Sequence, residues 1–179
     1  NTVGHVLRYQ IARGFCEPGD TVLDVACGVG YGCEILASAC QLVIGIDKSD
    51  EALDRAMKRY NHDRISYLQI DLNEVQRLPP SDVAVSFETI EHLDDPQRFA
   101  MMLQESAKRA VVASVPLGAG PTHNVYHKHE FGTDSALKLW QQRGWILWGA
   151  LTQYPVGLSE PQIEGFPPSL ILVLMRNMA

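Results

Sequence analysis

An apolar run that breaks into alternate glycines leaves a chain few options. Residues 22–32 read VLDVACGVGYG, with Gly28, Gly30 and Gly32 at every second position. Glycine at that density marks backbone that must turn tightly or lie close against a ligand. Val22 to Ala26 has the length and composition of a short buried strand, and a helix is expected from about Tyr31 to Ala39. A strand, a glycine turn and a helix in that order open an α/β unit. Asp24 stands inside the strand, where burial demands a partner or a function.

The alternation then repeats. QLVIGID (41–47), ISYLQID (65–71), SDVAVSFE (81–88), AVVASV (110–115), WILWGALT (145–152) and LILVLM (170–175) read as further strands. Helices are expected over 3–13, from an N-cap at Ser49 to Tyr60, over 95–108 with Pro96 in the first turn, and over 132–143 with Gly144 as its stop. Val3, Val6, Leu7 and Ile11 form the apolar side of the first helix. A loop with four prolines separates the last two strands. Strands alternating with helices predict a parallel sheet covered on both faces, and such folds bind ligands outside the carboxyl ends of the strands. Polar residues gather at those ends: Asp24 to Gly28, Asp47, Asp71, Glu88 and the segment after Val115.

With 179 residues, the chain builds one domain over 1–179 rather than two. A net charge of −6 argues against a nucleic acid held mainly through its phosphates. Cys16, Cys27, Cys33 and Cys40 form no CxxC pair, which excludes a zinc site and a disulfide scaffold and fits reduced thiols in the cytoplasm. No stretch reads as a signal peptide or is long enough to span a membrane. The chain begins at Asn1 without a methionine, as a piece of a longer protein would.

The acids narrow the ligand. A GxGxxG dinucleotide loop would place glycine where Cys33 stands, and Asp24 would repel a pyrophosphate at the helix start. It would attract a cation. Asp47, 19 residues after Gly28, stands where an acid accepts both hydroxyls of a ribose. A nucleoside that carries positive charge and no phosphate fits, and S-adenosylmethionine has that description.

On these residues the chain resembles a class I S-adenosylmethionine-dependent methyltransferase. VLDVACGVGYG is similar to the family's first motif, VIGIDKS to its second, LQIDL to its third and DVAVSFETIEHLDDP to its fourth strand and the helix after it. The likeness runs over about residues 20 to 116. It implies a single-domain α/β fold with a doubly wound, Rossmann-like, mostly parallel seven-stranded sheet, in which LILVLM enters antiparallel. It implies that Asp24, Ala26, Cys27, Gly28 and Gly30 serve the methionine portion and that Asp47 holds the ribose. Lys48 would pack on the adenine, Asp71 and Leu72 would meet its edge, and Phe87 and Glu88 would close the site. Arg8 and Tyr9 lie where family members reach the cofactor; a solvent-facing arginine and a packed tyrosine are the alternative. The glycine-containing turn usual before the fifth strand is missing.

Glu88, Glu91 and His92 are spaced to share one face of a helical turn. His123, His127 and His129 come after the fifth strand. Transfer of a methyl group to a hydroxyl requires removal of its proton, and a neutral histidine can take it. The expected function is O-methylation of a small molecule or a sugar or glycan, with His92 or His127 as base and Glu91 beside them, and no metal. FETIEHL resembles ubiquinone-biosynthesis O-methyltransferases and methyltransferases of bacterial polysaccharide clusters. Glu88, Glu91 and His92 also resemble the metal site of RNA 3′-terminal 2′-O-methyltransferases, a metal-assisted alternative. A non-catalytic S-adenosylmethionine-binding domain is the third. The acceptor and the oligomeric state are not legible.

Overall fold

The computed structural model describes residues 2–121, 124–154 and 168–177. Over these residues the chain runs α1 (Thr2–Arg13), β1 (Thr21–Val25), α2 (Tyr31–Ala37), β2 (Leu42–Asp47), α3 (Asp50–Arg59), β3 (Ile65–Gln69) and β4 (Ser81–Phe87). A 3-10 turn (Ile90–His92) precedes α4 (Pro96–Ser106), β5 (Ala107–Pro116), α5 (Thr133–Leu139), β6 (Trp145–Gln153) and β7 (Ser169–Arg176). One seven-stranded sheet has the order β3-β2-β1-β4-β5-β7-β6. Strands β1 to β5 pair in parallel, and β7 lies antiparallel between β5 and β6. The expected doubly wound sheet and its late antiparallel strand are both present.

Side chains alternate across each strand and divide the core in two. Val22, Val83, Val85, Val112 and Ile171 pack beneath α1 and α2. Leu23, Val25, Ala84, Val111 and Leu172 pack beneath α4 and α5. Both faces of the central strands are covered, so their sequences read as continuous apolar runs. Cys27, Cys33 and Cys40 are buried, and all four cysteines are free thiols. The winding reverses direction between β1 and β4, which opens a crevice at their carboxyl ends.

The helix starts agree with the sequence. The Ser49 hydroxyl accepts from the Ala52 N–H, and the Asp95 carboxylate caps α4 ahead of Pro96. The helix ends do not. Helix α4 stops at Ser106, whose hydroxyl folds back onto the Leu103 carbonyl, and the chain passes straight into β5. Helix α5 ends at Leu139 rather than 143. The Trp140 carbonyl accepts from the buried Gln104 amide at 3.1 Å and from the Gln142 N–H at 2.9 Å, the latter a tight-turn bond that a continuing helix does not make. Three of the four loop prolines lie outside the described residues.

Helix α1 corrects the reading of its face. Val3 and Leu7, expected inside, are 61% and 46% exposed, whereas Arg8, Tyr9 and Ala12 are buried. An arginine and a tyrosine are inside because the strand ends below carry acids, Asp24 and Glu88, that need partners. Tyr9 sits edge-on to Tyr31 and Phe87 and lies against Gly32, where a Cβ would run into its ring. Gly32→Ala is therefore expected to lose about 1–3 kcal/mol to overpacking, although alanine is the better helix former. In a Tyr9→Ala background the same change should become neutral or stabilising. Urea denaturation of the four proteins checks this, and a Gly32→Ala loss that persists without the Tyr9 ring contradicts it.

Candidate functional site

The glycine turn and the end of β2 are tied together by one carboxylate. Gly28 N–H donates to Asp47 Oδ2 at 2.8 Å, and Ser49 N–H donates to Asp47 Oδ1 at 2.9 Å. Asp47 thus fixes both the loop after β1 and the entry to α3. Gly30 has φ +80 and its backbone lies against Tyr67 and Ala56, so no side chain fits there. Two residues without glycine's freedom also adopt positive φ: Ala26 at 66° and Glu88 at 51°. Both end a central strand, and backbone strain of this kind gathers at functional sites.

A cavity of about 460 Å³ opens at these strand ends. Asp47, Lys48, Asp71 and Leu72 line one part of it, and Ala26, Phe87, Glu88 and His92 line another. Asp24, Cys27, Gly28 and Gly30 are not in its wall. Cys27 is 3% exposed and packs in the core against Cys33 and Gly45. Asn73, Thr89, Tyr126 and Lys128 also line the cavity, and the sequence reading missed them. It missed Arg98 as well, which donates from α4 to the carbonyls of Leu72, Asn73 and Val75 and so shapes the loop after β3. The helix-facing position of Arg98 carries no signal that its guanidinium serves a distant loop.

Asp24 is buried at the side of the site. Tyr9 Oη donates to its Oδ1 at 3.0 Å, and the Cys33 thiol donates to its Oδ2 at 3.2 Å. Burial pushes its carboxyl up to about 7 against those two donors, and the nearby charge of Asp47 adds to the rise. Glu88 is held in the cavity wall instead. Its Oε1 accepts from Ser114 Oγ at 2.7 Å and lies 3.3 Å from Arg8 Nη1, and its Oε2 accepts from Ser169 Oγ at 3.1 Å. With φ at 51° it stands outside the 3-10 turn, so Glu88, Glu91 and His92 do not share a helical face.

Glu91, His92 and His127 come together, with ligand atoms all within 4.8 Å of one another. Glu91 is 1% exposed, and its Oε2 has no hydrogen-bond partner. Burial, then the charge of Glu88, pushes the Glu91 carboxyl up to about 8. His92 Nε2 lies 3.7 Å from Glu91 Oε1. Each imidazole places Nδ1 on a backbone carbonyl, His92 on Tyr126 and His127 on Ala119. A carbonyl only accepts, so Nδ1 carries a proton on both rings, and in the neutral imidazole Nε2 is then the acceptor. His129 is spent on the Leu93 carbonyl, and His123 lies outside the described residues.

Comparison with known proteins agrees with this geometry. A family described as a methyltransferase domain matches residues 23–109. A probable S-adenosylmethionine-dependent methyltransferase of Mycobacterium tuberculosis is 31% identical over 152 residues, 79% of this chain and 54% of that protein. The mitochondrial ubiquinone biosynthesis O-methyltransferase of Schizosaccharomyces pombe is 30% identical over 98 residues, 52% of this chain and 36% of that protein. The chain thus spans about half the length of the mycobacterial relative and a smaller share of the yeast one. The crystal structure of magnesium protoporphyrin IX methyltransferase from Synechocystis PCC 6803 with bound SAM superposes with a TM-score of 0.76 at 19% identity. That match covers 97% of this chain and 80% of the other. No helix among the described residues is long and apolar enough to cross a membrane.

The two buried acids give stability a pH signature. Both bind a proton more tightly folded than unfolded: Asp24 from 3.8 to about 7, Glu91 from 4.5 to about 8. Between those values the native state holds more protons, so stability falls as pH rises from about 4 to about 8. Each group contributes at most about 1.4 kcal/mol per pH unit. Asp24→Asn and Glu91→Gln should each flatten the fall, read from urea midpoints at pH 5 and pH 8. Slopes identical to the wild type would contradict the burial argument.

Proposed function

We propose that the chain, whose residues 23–109 match a methyltransferase-domain family, transfers a methyl group from S-adenosylmethionine to a hydroxyl of a small molecule or sugar. The observation that carries this reading is one cavity lined by carboxylates and apolar side chains together. Asp47 and Asp71 stand with Lys48 and Leu72, and Glu88 stands with His92 and Phe87. Its volume of about 460 Å³ lies in the range of small-molecule sites. Each Asp47 oxygen accepts one backbone N–H and retains a lone pair for a ribose hydroxyl. Ile70, Leu72 and Leu93 offer apolar contact to a purine. The donor fits these residues, and when bound it supplies an electrophilic methyl on a sulfonium.

The chain's own work is then to hold, orient and deprotonate. Glu88 places negative charge at the end of the cavity shared with His92. The His92 Nε2 lone pair is available to take the proton of an acceptor hydroxyl, while the Tyr126 carbonyl keeps the ring in that tautomer. Tyr126, 77% exposed on the rim, offers an aromatic face to the acceptor. Orientation of donor and acceptor carries most of the acceleration.

A second reading is favoured by one observation. Glu91, His92 and His127 bring ligand atoms within 4.8 Å of one another, and Glu91 Oε2 has no hydrogen-bond partner among the described residues. A divalent cation there would take Glu91 in its ionised form together with the two imidazoles, and it would assist methylation of a ribose hydroxyl such as that of an RNA end.

Two outcomes are expected. Asp47→Ala should weaken S-adenosylmethionine binding by about 1.5–3 kcal/mol in titration calorimetry, the worth of hydrogen bonds to a charged group. Unchanged affinity would move the ligand elsewhere. If His92 is a metal-free base, His92→Ala should lower turnover by about 10²–10⁴-fold and a chelator should have no effect. Loss of turnover with chelator, restored by Mg²⁺ or Mn²⁺, would select the metal reading. Binding of the donor without turnover of any acceptor in a panel of phenols, sugars and RNA ends would favour a non-catalytic domain.

A further inference from the structure

Arg8 is 6% exposed, on the inner side of α1. Its guanidinium is committed to protein partners. Nε donates to Gln153 Oε1 at 2.7 Å, Nη2 donates to Ser169 Oγ at 2.8 Å, and Nη1 lies 3.3 Å from Glu88 Oε1 and 3.4 Å from His5 Nε2. Ser169 Oγ in turn donates to Glu88 Oε2. Arg8 therefore meets both oxygens of one carboxylate, one directly and one through a serine. That carboxylate lines the cavity, on a backbone held at positive φ. A buried arginine so placed does more than anchor a helix, because Gln153 and Ser169 would suffice for that.

We propose that Arg8 is a specificity-determining residue: its charge, set against Glu88, fixes how strongly the cavity prefers a sulfonium donor over the neutral thioether left after transfer. The proposal rests on the cofactor reading. Donor and product share the same adenosine, ammonium and carboxylate, and they differ only by a methyl group and one positive charge. Glu88 without a counter-charge would hold the sulfonium tightly. The sulfur loses its charge as the methyl leaves, so that grip would stabilise the ground state more than the transition state. Arg8 moderates the field of Glu88 and keeps the donor from being held too well to react. An arginine that instead touched the ligand carboxylate would act on donor and product alike, since both carry that group.

The test is the ratio of affinities for S-adenosylmethionine and S-adenosylhomocysteine, measured by titration calorimetry on the wild type, Arg8→Gln, Arg8→Lys and Glu88→Gln. It needs no knowledge of the acceptor. Removal of the cation 3.3 Å from the Glu88 carboxylate should raise the preference for the donor by about 5- to 30-fold in Arg8→Gln, the scale of a screened charge. Arg8→Lys keeps the charge and should stay near the wild-type ratio. Glu88→Gln removes the opposing charge and should lower the ratio by a similar factor. If Arg8→Gln proves unfolded by its melting curve, the double variant Arg8→Gln/Glu88→Gln, which leaves neither charge of the pair buried alone, decides: a ratio above that of Glu88→Gln is expected, and an equal ratio overturns the proposal. Equal weakening of both ligands in Arg8→Gln, or an unchanged ratio in Glu88→Gln, overturns the proposal. A wild type that binds neither ligand overturns the cofactor reading instead.

Discussion

One carboxylate sets the geometry on which the site depends. Asp47, at the end of β2, accepts the Gly28 N–H from one loop and the Ser49 N–H from another. These bonds hold the glycine turn after β1 against the start of α3, one strand away from the point where the sheet reverses its winding. The turn in turn gives Ala26 its position in the cavity wall and directs Gly30 against Tyr67. An aspartate is suited to this place because it can satisfy two backbone donors and still accept more. A loop-fixing role and a ligand-binding role thus reside in the same two oxygens.

The second organising constraint is that acids at the strand ends must be compensated. Asp24, Glu88 and Glu91 lie within or beside the core, and each is treated differently. Asp24 is covered by Tyr9 and Cys33 and pushed toward its neutral form. Glu88 keeps three polar partners, Arg8 among them. Glu91 is left with an unpaired oxygen facing two imidazoles. Two of the three are answered from α1, by residues adjacent in sequence. Helix α1 therefore backs the site, through Tyr9 on Asp24 and Arg8 on Glu88, and these polar side chains are turned inward for that reason.

Much of the fold was legible because local signals agree with one another. Apolar runs of strand length, the cap at Ser49, the first-turn Pro96 and the glycine turn all point to the same sheet. The places where the reading failed share one physical cause, which is a side chain answering a distant group. Val3 and Leu7 suggested the wrong face for α1 because spacing cannot reveal that Asp24 and Glu88 wait beneath it. Arg98 gave no sign of bracing the loop after β3, and Trp140 gave none of surrendering its carbonyl to Gln104. At the site, Asp47, Asp71 and Glu88 stand in the sequence at strand ends, whereas Leu72 and Phe87 are marked only by the family resemblance; all five line the cavity. Asp24 and Cys27 are buried beside the cavity, Asp24 against Tyr9 and Cys33 and Cys27 near Gly45. The rim residues Tyr126 and Lys128 come from a loop, whose course no periodicity encodes.

The central claim is that the cavity is shaped for an adenosyl sulfonium donor. A crystal structure with S-adenosylhomocysteine tests it most directly. The account predicts ribose hydroxyls on Asp47, the purine beside Lys48 and Leu72 with its edge toward Asp71, and the thioether beside Glu88. A ligand seated anywhere else, or no ligand at saturating concentration, would contradict it.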